Sequence, residues 1–583
     1  MFNKSFHRSV LRLLSLILAA IFILLPCACT RNTPTSTTTT PGSYGPRANS
    51  YDDPADSIYV SPNGNDSTAT GAIDAPYRTI NGALDNAQPG STIVLRECTY
   101  KEGINVRVRV PNITIKFRKG EWAVIDLTSY EAGHGEDSGV YFDVGSSGGK
   151  LQAVEVIGGW YAVSLETKWD WGDPSDRAGA SNIIIDDCKL HDSRYDVVKI
   201  KPNCNNVTIR YNEIYNSGKA FAGNTHNGED NAEGIDNVNG DNMFVHHNYI
   251  HDICSNAIYA KGGATDVLIE YDFIEHAYGG GILVGFDTSP EFFDTGVNPQ
   301  YYENIRGIAR YNLIVEIGWE GIGLYGAKDA QIYNNTLVNV ANGGQYHSAI
   351  YFGITFQDWE AYAGRPANIN PSIHHNVVLQ PSGIVRPMLE IRYANKLGGL
   401  SALSGNPTMS NNCYFIASKT AVFTDNRPGS TLGSGTLSDW QAHIGGDNGS
   451  LEVDPALDDD YMTTNPQCSG MGIGFREVEA PLQTPQTPTG TPTQSPSSTP
   501  SATPTSPTAT AGQSTYNIAD FHATSGHLAL KKGETIAVGA KQYRVLVDSY
   551  SLEYWAQSSL ESAITWWTEY LSGFVSDGVV AEI

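Results

Sequence analysis

Short runs of β-branched and aromatic residues recur along the middle of the chain, each followed by Asn or Asp and then by a second apolar pair. The segments NVTIRYNEIYN, NMFVHHNYIHD, AQIYNNTLVNV and SIHHNVVLQ show this pattern. The recurring polar residues are Asn212, Asn248, Asp272, Asn312, Asn335 and Asn376. Their separations are 36, 24, 40, 23 and 41 residues. These values fit a basic period of about 24 residues, with insertions in some turns.

This period, with short strands and no helices between them, predicts a solenoid of stacked parallel strands. A leucine-rich repeat would show LxxLxL, which is absent, and propeller blades need periods of about 40 residues or more. The segment NIIIDDCKLHDS extends the series backward and places Cys188 in the Asn position, 24 residues before Asn212. We therefore predict an all-β parallel β-helix, with a short amphipathic helix at residues 80–87 that covers its open N-terminal end.

The recurring Asn has a structural role in such a fold. Asn tolerates the left-handed backbone of a sharp corner and forms hydrogen bonds with its own neighbours. When coils stack, these side chains can form a ladder of amide hydrogen bonds inside the solenoid. We therefore interpret the repeated Asn residues as structural and not as catalytic.

The N-terminus has the pattern of an export signal. Lys4, Arg8 and Arg12 precede an apolar run at residues 13–25, which is short for a membrane span and typical of a signal peptide. Cys29, after Ala28, resembles a bacterial lipoprotein cleavage site and is a candidate lipid anchor. We expect a signal peptide at residues 1–29, a flexible tether at 30–54, and a secreted or surface-anchored protein.

A second low-complexity segment, rich in Thr, Pro and Ser, occupies residues 479–515 and predicts an extended linker. It separates the β-helix domain, residues 55–478, from a small C-terminal α+β unit, residues 516–583, whose role the sequence does not indicate. Six cysteines follow residue 29, and none has CxxC spacing, so a zinc site is not expected.

The net charge of −25 argues against a nucleic-acid partner and against an anionic membrane surface. It does not exclude an acidic polysaccharide, because a local cluster of Lys and Arg would suffice to bind one. We expect the chain to act as a monomer.

Candidate chemistry concentrates on three consecutive coils, YDVVKIKP, AEGIDNVNG and NAIYAKGG. Residues two apart in a strand share a face, so Asp196, Asp236 and Lys261 can lie near one another on neighbouring coils. Glu233 and Asp230 add carboxylates to the middle turn. Carboxylates about 4.8 Å apart repel one another unless a cation binds between them, and oxygen ligands without His or Cys favour Ca²⁺.

These coils resemble the family-nine pectate lyases. In that family an Asp on one coil and a DDGFD turn on the next hold Ca²⁺, and the lysine of NGFKLGG is the base. YDVV places Asp196 at the first Asp, and AEGID places Glu233 and Asp236 in the DDGFD turn, with Ala232 replacing its first Asp. NAIYAKGG matches NGFKLGG with the lysine two residues later and Tyr259 in its position. The two ends of the domain also resemble those of secreted bacterial right-handed parallel β-helix proteins, which implies the right-handed form.

The resemblance implies cleavage of a pectate-like polysaccharide by β-elimination. Lys261 would remove the C5 proton of a uronate, and a calcium ion on the sugar carboxylate would stabilise the resulting anion. The ligands would be Asp196, Glu233, Asp236 and Asp230. Lys199 and Lys201 would bind substrate carboxylates.

Two other functions remain open at this point. NAEGID also resembles the NTDGID of polygalacturonases, which are β-helix hydrolases that use carboxylates for acid catalysis. Their further GDD, GHG and RIK motifs are absent from the following coils. A non-catalytic surface glycan-binding protein would also fit the tether, the linker and the C-terminal unit.

Overall fold

A computed structural model describes most of the domain with the repeats and parts of the C-terminal unit. The described residues are 44–134, 137–169, 175–221, 231–343, 347–355, 365–381, 386–475, 515–520, 526–546, 549–554, 560, 563–564, 567–568, 571 and 580–582. The predicted signal peptide, most of the tether and most of the Thr/Pro/Ser-rich linker lie outside these residues. The chain divides into two compact units, residues 1–483 and 484–583. No helix in the described part is both long enough and apolar enough to cross a membrane.

Three sheets of twelve strands each form the first unit, and successive coils add one strand to each sheet. The strands of the first sheet are Ile58–Val60, Thr92–Leu95, Thr114–Phe117, Lys150–Gln152, Ile184–Asp186, Thr208–Arg210, Phe244–His246, Leu268–Glu270, Ile308–Arg310, Gln331–Tyr333, Ser372–His374 and Thr408–Ser410. Those of the second sheet, called here the site sheet, are Val106–Val108, Val140–Phe142, Val163–Leu165, Val198–Ile200, Ile235–Val238, Ile258–Lys261, Ile282–Val284, Ile322–Tyr325, Ile350–Gly353, Leu389–Ile391, Phe423–Asp425 and Leu432–Gly435. Those of the third sheet are Cys98–Tyr100, Ala123–Asp126, Glu155–Ile157, Lys189–His191, Glu213–Tyr215, Tyr249–Ile253, Phe273–Ala277, Leu313–Val315, Thr336–Val338, Val377–Gln380, Cys413–Ile416 and Leu451–Glu452.

Smaller elements complete the coils. A fourth parallel sheet contains Ala264–Thr265, Asn304–Ile305, Ala327–Lys328, Asn368–Ile369 and Leu403–Ser404, and an antiparallel pair joins Tyr393–Ala394 to Leu400–Ser401. The α-helices whose full extent lies within the described residues are Ile80–Leu84, Thr128–His134, Leu437–Ile444 and Pro466–Gly470. Short 3₁₀ helices occupy Lys219–Phe221, Pro290–Phe292, Asn395–Leu397 and Ile518–Asp520. The pairing in the three large sheets is parallel except for the last strand of the site sheet, so the predicted parallel β-helix is confirmed.

The alternation of side chains within each strand builds the core. In Val198–Ile200, Val198 and Ile200 are buried inside the coil, and Lys199 points to the opposite face. Because the same alternation recurs on every coil, the inward residues stack into one continuous apolar core. Outward residues on the same sheet are thereby brought into rows, one strand spacing apart.

The predicted Asn ladder is present at the corner between the first and third sheets. The backbone N–H of Asn212 donates to Oδ1 of Asn248 at 3.0 Å, and Nδ2 of Asn312 donates to Oδ1 of Asn335 at 3.0 Å. The ladder continues past Asn376 to Asn412. Cys188 stands at its beginning, where its N–H donates to Oδ1 of Asn212 at 2.8 Å.

The left-handed corner residue is not the ladder Asn but the residue before it, which corrects our expectation. The residues with φ between 54° and 59° at these corners are Asp187, Tyr211, His247, Tyr271, Tyr311, Asn334 and His375. The ladder amide can donate to the carbonyl two residues back, as Asn248 does to His246 at 3.2 Å. A strained corner is thus stabilised by the side chain that follows it.

Helices cover both ends of the core. The first helix is Ile80–Leu84, shorter than the predicted 80–87, and it buries Ile80, Ala83 and Leu84. The hydroxyl of Thr79 caps it by accepting from the N–H of Gly82 at 3.0 Å. Near the other end, Leu437–Ile444 begins with a capping box and buries Trp440 completely.

The second unit contains a four-stranded sheet and a separate antiparallel pair of strands. The sheet orders its strands as Thr515–Asn517, Thr535–Val538, Lys541–Val545 and Val580–Glu582, and the separate pair joins Gly526–Lys531 to Ser549–Tyr554. Trp567 and Leu571 are buried in its core. They contribute to packing and leave the role of this unit open.

Candidate functional site

The three coils aligned from the sequence are neighbours in the site sheet. Lys199 pairs in register with Asp236, and Asp236 pairs with Tyr259. Lys261 pairs with Val238, two residues further along the same strands. Tyr259 therefore occupies the position next to Asp236, as the sequence alignment indicated, and Lys261 lies one step further along the same outward face.

Three of the predicted ligand residues form a buried carboxylate cluster. Asp196, Glu233 and Asp236 each contribute one oxygen, and these oxygens lie within 4.8 Å of one another. The exposed fractions of the three residues are 0%, 2% and 0%. The fourth predicted ligand, Asp230, lies outside the described residues.

The protein satisfies these carboxylates only in part. Oδ1 of Asp196 accepts the backbone N–H of Glu233 at 3.0 Å, and Oε1 of Glu233 accepts from Nδ2 of Asn256 at 3.3 Å. Oε2 of Glu233 and Oδ1 of Asp236 are buried and accept no hydrogen bond within the described part of the chain. Buried carboxylate oxygens without partners carry a desolvation cost, which a bound cation would relieve.

The ammonium of Lys199 lies against the same cluster. Its Nζ donates to Oδ2 of Asp196 at 3.2 Å and to Oδ2 of Asp236. Lys199 thus binds one oxygen of each aspartate and leaves Oδ1 of Asp236 without a hydrogen bond within the described residues. Sequence reasoning placed this side chain toward substrate and did not anticipate its contact with both aspartates.

Burial and mutual repulsion shift the titration of these groups. Burial, together with the adjacent charge of Asp196, holds the pKa of Glu233 well above its usual range. Burial lowers the pKa of Lys199; Asp196 opposes this shift, and the positive charge of Lys261 adds to it.

The donor set fits a hard divalent cation. All its atoms are carboxylate oxygens, two of them have no partner, and with all three groups ionised the negative charge exceeds the single charge of Lys199. A cation that used all three carboxylates would share Asp196 and Asp236 with the Lys199 ammonium.

Lys261 has a different environment from the other two predicted lysines. Its Nζ lies 4.2 Å from the ring centroid of Tyr259 and 5.6 Å from that of Phe286. Within the described part of the chain its amine forms no ion pair or hydrogen bond. Lys201, by contrast, is paired with Glu166 at 2.8 Å, so a protein carboxylate already balances the charge of its ammonium.

A buried carboxyl that the sequence analysis missed anchors the turn after Lys261. Glu303 is fully buried, and its Oε2 accepts the backbone N–H of Gly262 at 2.9 Å. Its two oxygens also accept the N–H and the hydroxyl of Thr288 at 3.0 and 2.7 Å. Burial raises the pKa of Glu303 to about 8, against these hydrogen bonds, which favour the ionised form.

The two glycines after Lys261 are required by this turn. Gly262 and Gly263 are buried and have φ of 73° and 96°. A Cβ on Gly263 would approach the amide of Asn298 to 3.0 Å. The glycines therefore allow a left-handed, closely packed turn and fix the end of the strand that carries Lys261.

Comparisons with known proteins agree with this architecture. The family described as "Right handed beta helix region" matches residues 177–357. Pectate lyase PEL9 of Emericella nidulans is 40% identical over 74 residues, which are 12% of this chain and 18% of that protein. The chain thus aligns with less than a fifth of the length of this relative.

Two solved structures are similar at low identity. That of pectate lyase Pel9A has 15% identity and a TM-score of 0.38, over 70% of this chain and 89% of that chain. That of the GH136 lacto-N-biosidase from Eubacterium ramulus has 11% identity and a TM-score of 0.39, over 68% of each chain. The chain is a right-handed parallel β-helix that resembles the family-nine pectate lyases.

Proposed function

We propose that this chain is a polysaccharide lyase that cleaves a uronate-containing, pectate-like polymer by calcium-assisted β-elimination. The observation that carries the proposal is the buried cluster of Asp196, Glu233 and Asp236, with the amine of Lys261, which has no partner among the described residues, on the adjacent coil of the same sheet. Removal of a proton beside a carboxylate requires a base and, next to it, a site that stabilises the negative charge formed in the reaction.

Each bond change in the reaction has an assigned partner. After its ammonium has released a proton to solvent, Lys261 takes the C5 proton of the uronate, and the C5–H electron pair becomes the C4–C5 double bond. The C4–O4 bond breaks, and the departing oxygen is protonated by the Lys261 ammonium or by solvent. A calcium ion, when bound by Asp196, Glu233 and Asp236, would supply the positive charge that stabilises the anion at C5.

The remaining residues position the base. The carboxyl of Glu303 holds Gly262 and so fixes the end of the strand, while the rings of Tyr259 and Phe286 flank the Lys261 amine. Lys199 and Lys201 are engaged with protein carboxylates. A role for them in binding sugar carboxylates therefore requires exchange of those partners on substrate binding.

The direct test measures the absorbance of unsaturated uronate ends released from polygalacturonate. Lys261→Ala should lower the rate by a factor of about 10² to 10⁴, the usual contribution of a general base. Lys119→Ala, at a half-exposed surface lysine paired with Asp52, is the matched control and should retain the wild-type rate. If Lys261→Ala keeps most of its rate and Lys201→Ala loses it, the base is Lys201.

The products separate the other candidate functions. Reducing ends without the new absorbance would indicate a hydrolase, and binding of the polymer without either product would indicate a glycan-binding protein. A chelator should abolish elimination, and added calcium should restore it. If elimination survives the chelator and is lost in Lys199→Ala, the ammonium of Lys199 supplies the stabilising charge in place of a metal.

We also propose that the chain is exported and is either secreted or anchored at the cell surface. A secreted or surface-anchored enzyme would meet the polymer outside the cell, and residues 1–29 and Cys29 have the pattern of a lipoprotein signal. Labelled palmitate should be incorporated into the full chain but not into Cys29→Ser. Labelling that is equal in both chains would exclude an anchor at Cys29.

A further inference from the structure

A second polar centre lies on the outward face of the site sheet. Glu320, just before the strand Ile322–Tyr325, is fully buried. One of its oxygens accepts the hydroxyl of Tyr325 at 2.6 Å, and the other lies 2.5 Å from Nδ1 of His347. Sequence analysis did not identify this centre, and no step of the proposed elimination uses it.

The backbone is shaped to receive these side chains. A Cβ on Gly323 would lie 2.7 Å from Oε1 of Glu320, and a Cβ on Gly353 would fall within 1.9 Å of the Tyr325 ring. Two outward positions of adjacent strands therefore have no side chain of their own. A buried carboxylate contributes little to net stability even when it is paired, so packing alone does not explain the arrangement.

His347 stacks on an aromatic ring and approaches the carboxylate of Glu320. Its ring stacks on Trp319, with centroids 4.8 Å apart and planes at 7°, and its Nδ1 faces the carboxylate of Glu320. Oε2 of Glu320 and Nδ1 of His347 are both buried, and neither has a hydrogen-bond partner within the described residues. Nε2 forms no hydrogen bond within the described part of the chain, and the His347 side chain is 17% exposed.

The next coil adds groups suited to sugar hydroxyls. Tyr351 contacts the His347 ring at 4.9 Å and pairs in register with Glu390. Glu390 and Arg392 are half-buried, and the positive charge of Arg392 lies close enough to Tyr351 to oppose the rise that burial causes in the pKa of Tyr351. His347, Glu390 and Arg392 thus offer acceptors and donors beside half-buried Trp319, a combination typical of carbohydrate sites.

The centre lies in line with the carboxylate cluster. Asp236, Tyr259, Leu283, Gly323, Tyr351 and Glu390 form one outward row across consecutive strands. Gly323 is three strands from Asp236, about 14 Å by strand spacing, and Tyr351 is about 19 Å away. Tyr259, Leu283, Tyr325 and Tyr351 form a continuous apolar cluster between the two centres.

We propose that the centre formed by Glu320, His347 and Glu390 is a subsite that binds a sugar residue of the same polymer, several units from the cleaved bond. This inference rests on the proposed function for the identity of the polymer. Glu320 acts as a positioning residue for His347, and Nε2 of His347 forms a hydrogen bond with a sugar hydroxyl.

Histidine-selective NMR with galacturonate oligomers of increasing length tests the subsite. The His347 signal, assigned by its loss in His347→Gln, should shift with long oligomers and not with the dimer. In kinetics, His347→Gln should raise KM for long oligomers about tenfold, the loss of one hydrogen bond, and by more than it changes kcat. His276→Gln, at a half-exposed histidine of the third sheet, should leave both values unchanged.

The outcomes separate this inference from the proposed function. Elimination without any shift of the His347 signal overturns the subsite alone. A shift of that signal without elimination supports the subsite and overturns the lyase function. If the oligomers produce neither a shift nor a product, both proposals fail.

Discussion

The carboxylate cluster shows how far single residues could be predicted. Asp196, Glu233 and Asp236 were identified because the repeat fixes the register of neighbouring coils, and strand register fixes which side chains share a face. The contact of Lys199 with both aspartates was not predictable in this way, because a long side chain can reach either solvent or a neighbouring carboxylate from the same backbone position.

Asp236→Asn tests the cluster as a cation site with little change in shape. The substitution removes the charge of a proposed ligand whose Oδ1 accepts no hydrogen bond within the described residues. The affinity for Ca²⁺ depends on the number of charged ligands. We expect the calcium Kd to rise at least tenfold, about 1.4 kcal/mol, by titration calorimetry. Asp266→Asn, at an exposed aspartate paired with Arg306, should bind calcium as the wild type does. An unchanged Kd in Asp236→Asn would remove Asp236 from the ligand set.

Glu303 could not be found from the repeat, because it lies 41 residues after Gly262, in the following coil. Glu303→Gln exchanges one of its acceptor oxygens for a donor and so disturbs the bonds from Gly262 and Thr288. We expect kcat for elimination to fall about tenfold while KM stays near the wild-type value, because the base is displaced and the substrate contacts remain. Glu316→Gln, at an exposed glutamate, is the control. A change confined to KM would contradict a positioning role.

At the scale of elements, the Asn ladder was predictable as a pattern, but its chemistry was not uniform. Asp272 replaces Asn in one coil, and its Oδ1 accepts from Nδ2 of Asn248 at 2.8 Å. Its Oδ2 is buried without a hydrogen-bond partner within the described residues. Burial holds the pKa of Asp272 well above its usual range, so the neutral acid is the favoured form.

Asp272→Asn should therefore stabilise the β-helix by about 1–3 kcal/mol near neutral pH, because it restores an amide donor and removes a buried ionisable group. A carboxyl whose pKa is raised on folding weakens the fold as pH rises above the unfolded pKa of about 3.9. The advantage of the variant should then disappear below that pH. Urea unfolding at several pH values measures both effects.

The opposite substitution in a uniform part of the ladder provides the matched control. Asn335 lies between Asn312 and Asn376 and bonds with both, so Asn335→Asp should destabilise the fold under the same conditions. Equal unfolding midpoints for Asp272→Asn and the wild type at neutral pH would show that Asp272 is already satisfied.

At the scale of the whole molecule, the parallel β-helix followed from the period because each coil repeats one set of inward residues. Which cysteines lie close together could not be predicted, because spacing in sequence carries no information about which coil a terminal helix reaches. Cys413 lies on the strand Cys413–Ile416 of the third sheet, and Cys468 lies on the helix Pro466–Gly470, which with the residues up to Ile473 is called here the C-terminal cap. Their Sγ atoms are 3.3 Å apart, and both residues are fully buried.

We predict that these two thiols form a disulfide when oxidised glutathione accepts their electrons and is released as two thiol molecules. The bond would close a loop of 55 residues and tie the C-terminal cap to the core. Loop closure of this length corresponds to about 4 kcal/mol in the chain-entropy model, so Tm should rise on oxidation. Mass spectrometry after alkylation should find Cys413 and Cys468 linked, with Cys98, Cys188, Cys204 and Cys254 alkylated as free thiols.

The single variants Cys413→Ser and Cys468→Ser separate a local bond from general effects of the oxidant. Neither variant can form the link, so neither should gain Tm with oxidised glutathione, although both remain able to fold because the cap also buries Ile473 against Val377. The wild-type protein is oxidised under conditions that open the cap transiently. If Cys413 and Cys468 can still be alkylated afterwards, their sulfurs cannot reach the bonding distance of about 2.05 Å. In that case the cap is held only by its apolar contacts, and the C-terminal end is where unfolding of the solenoid should begin.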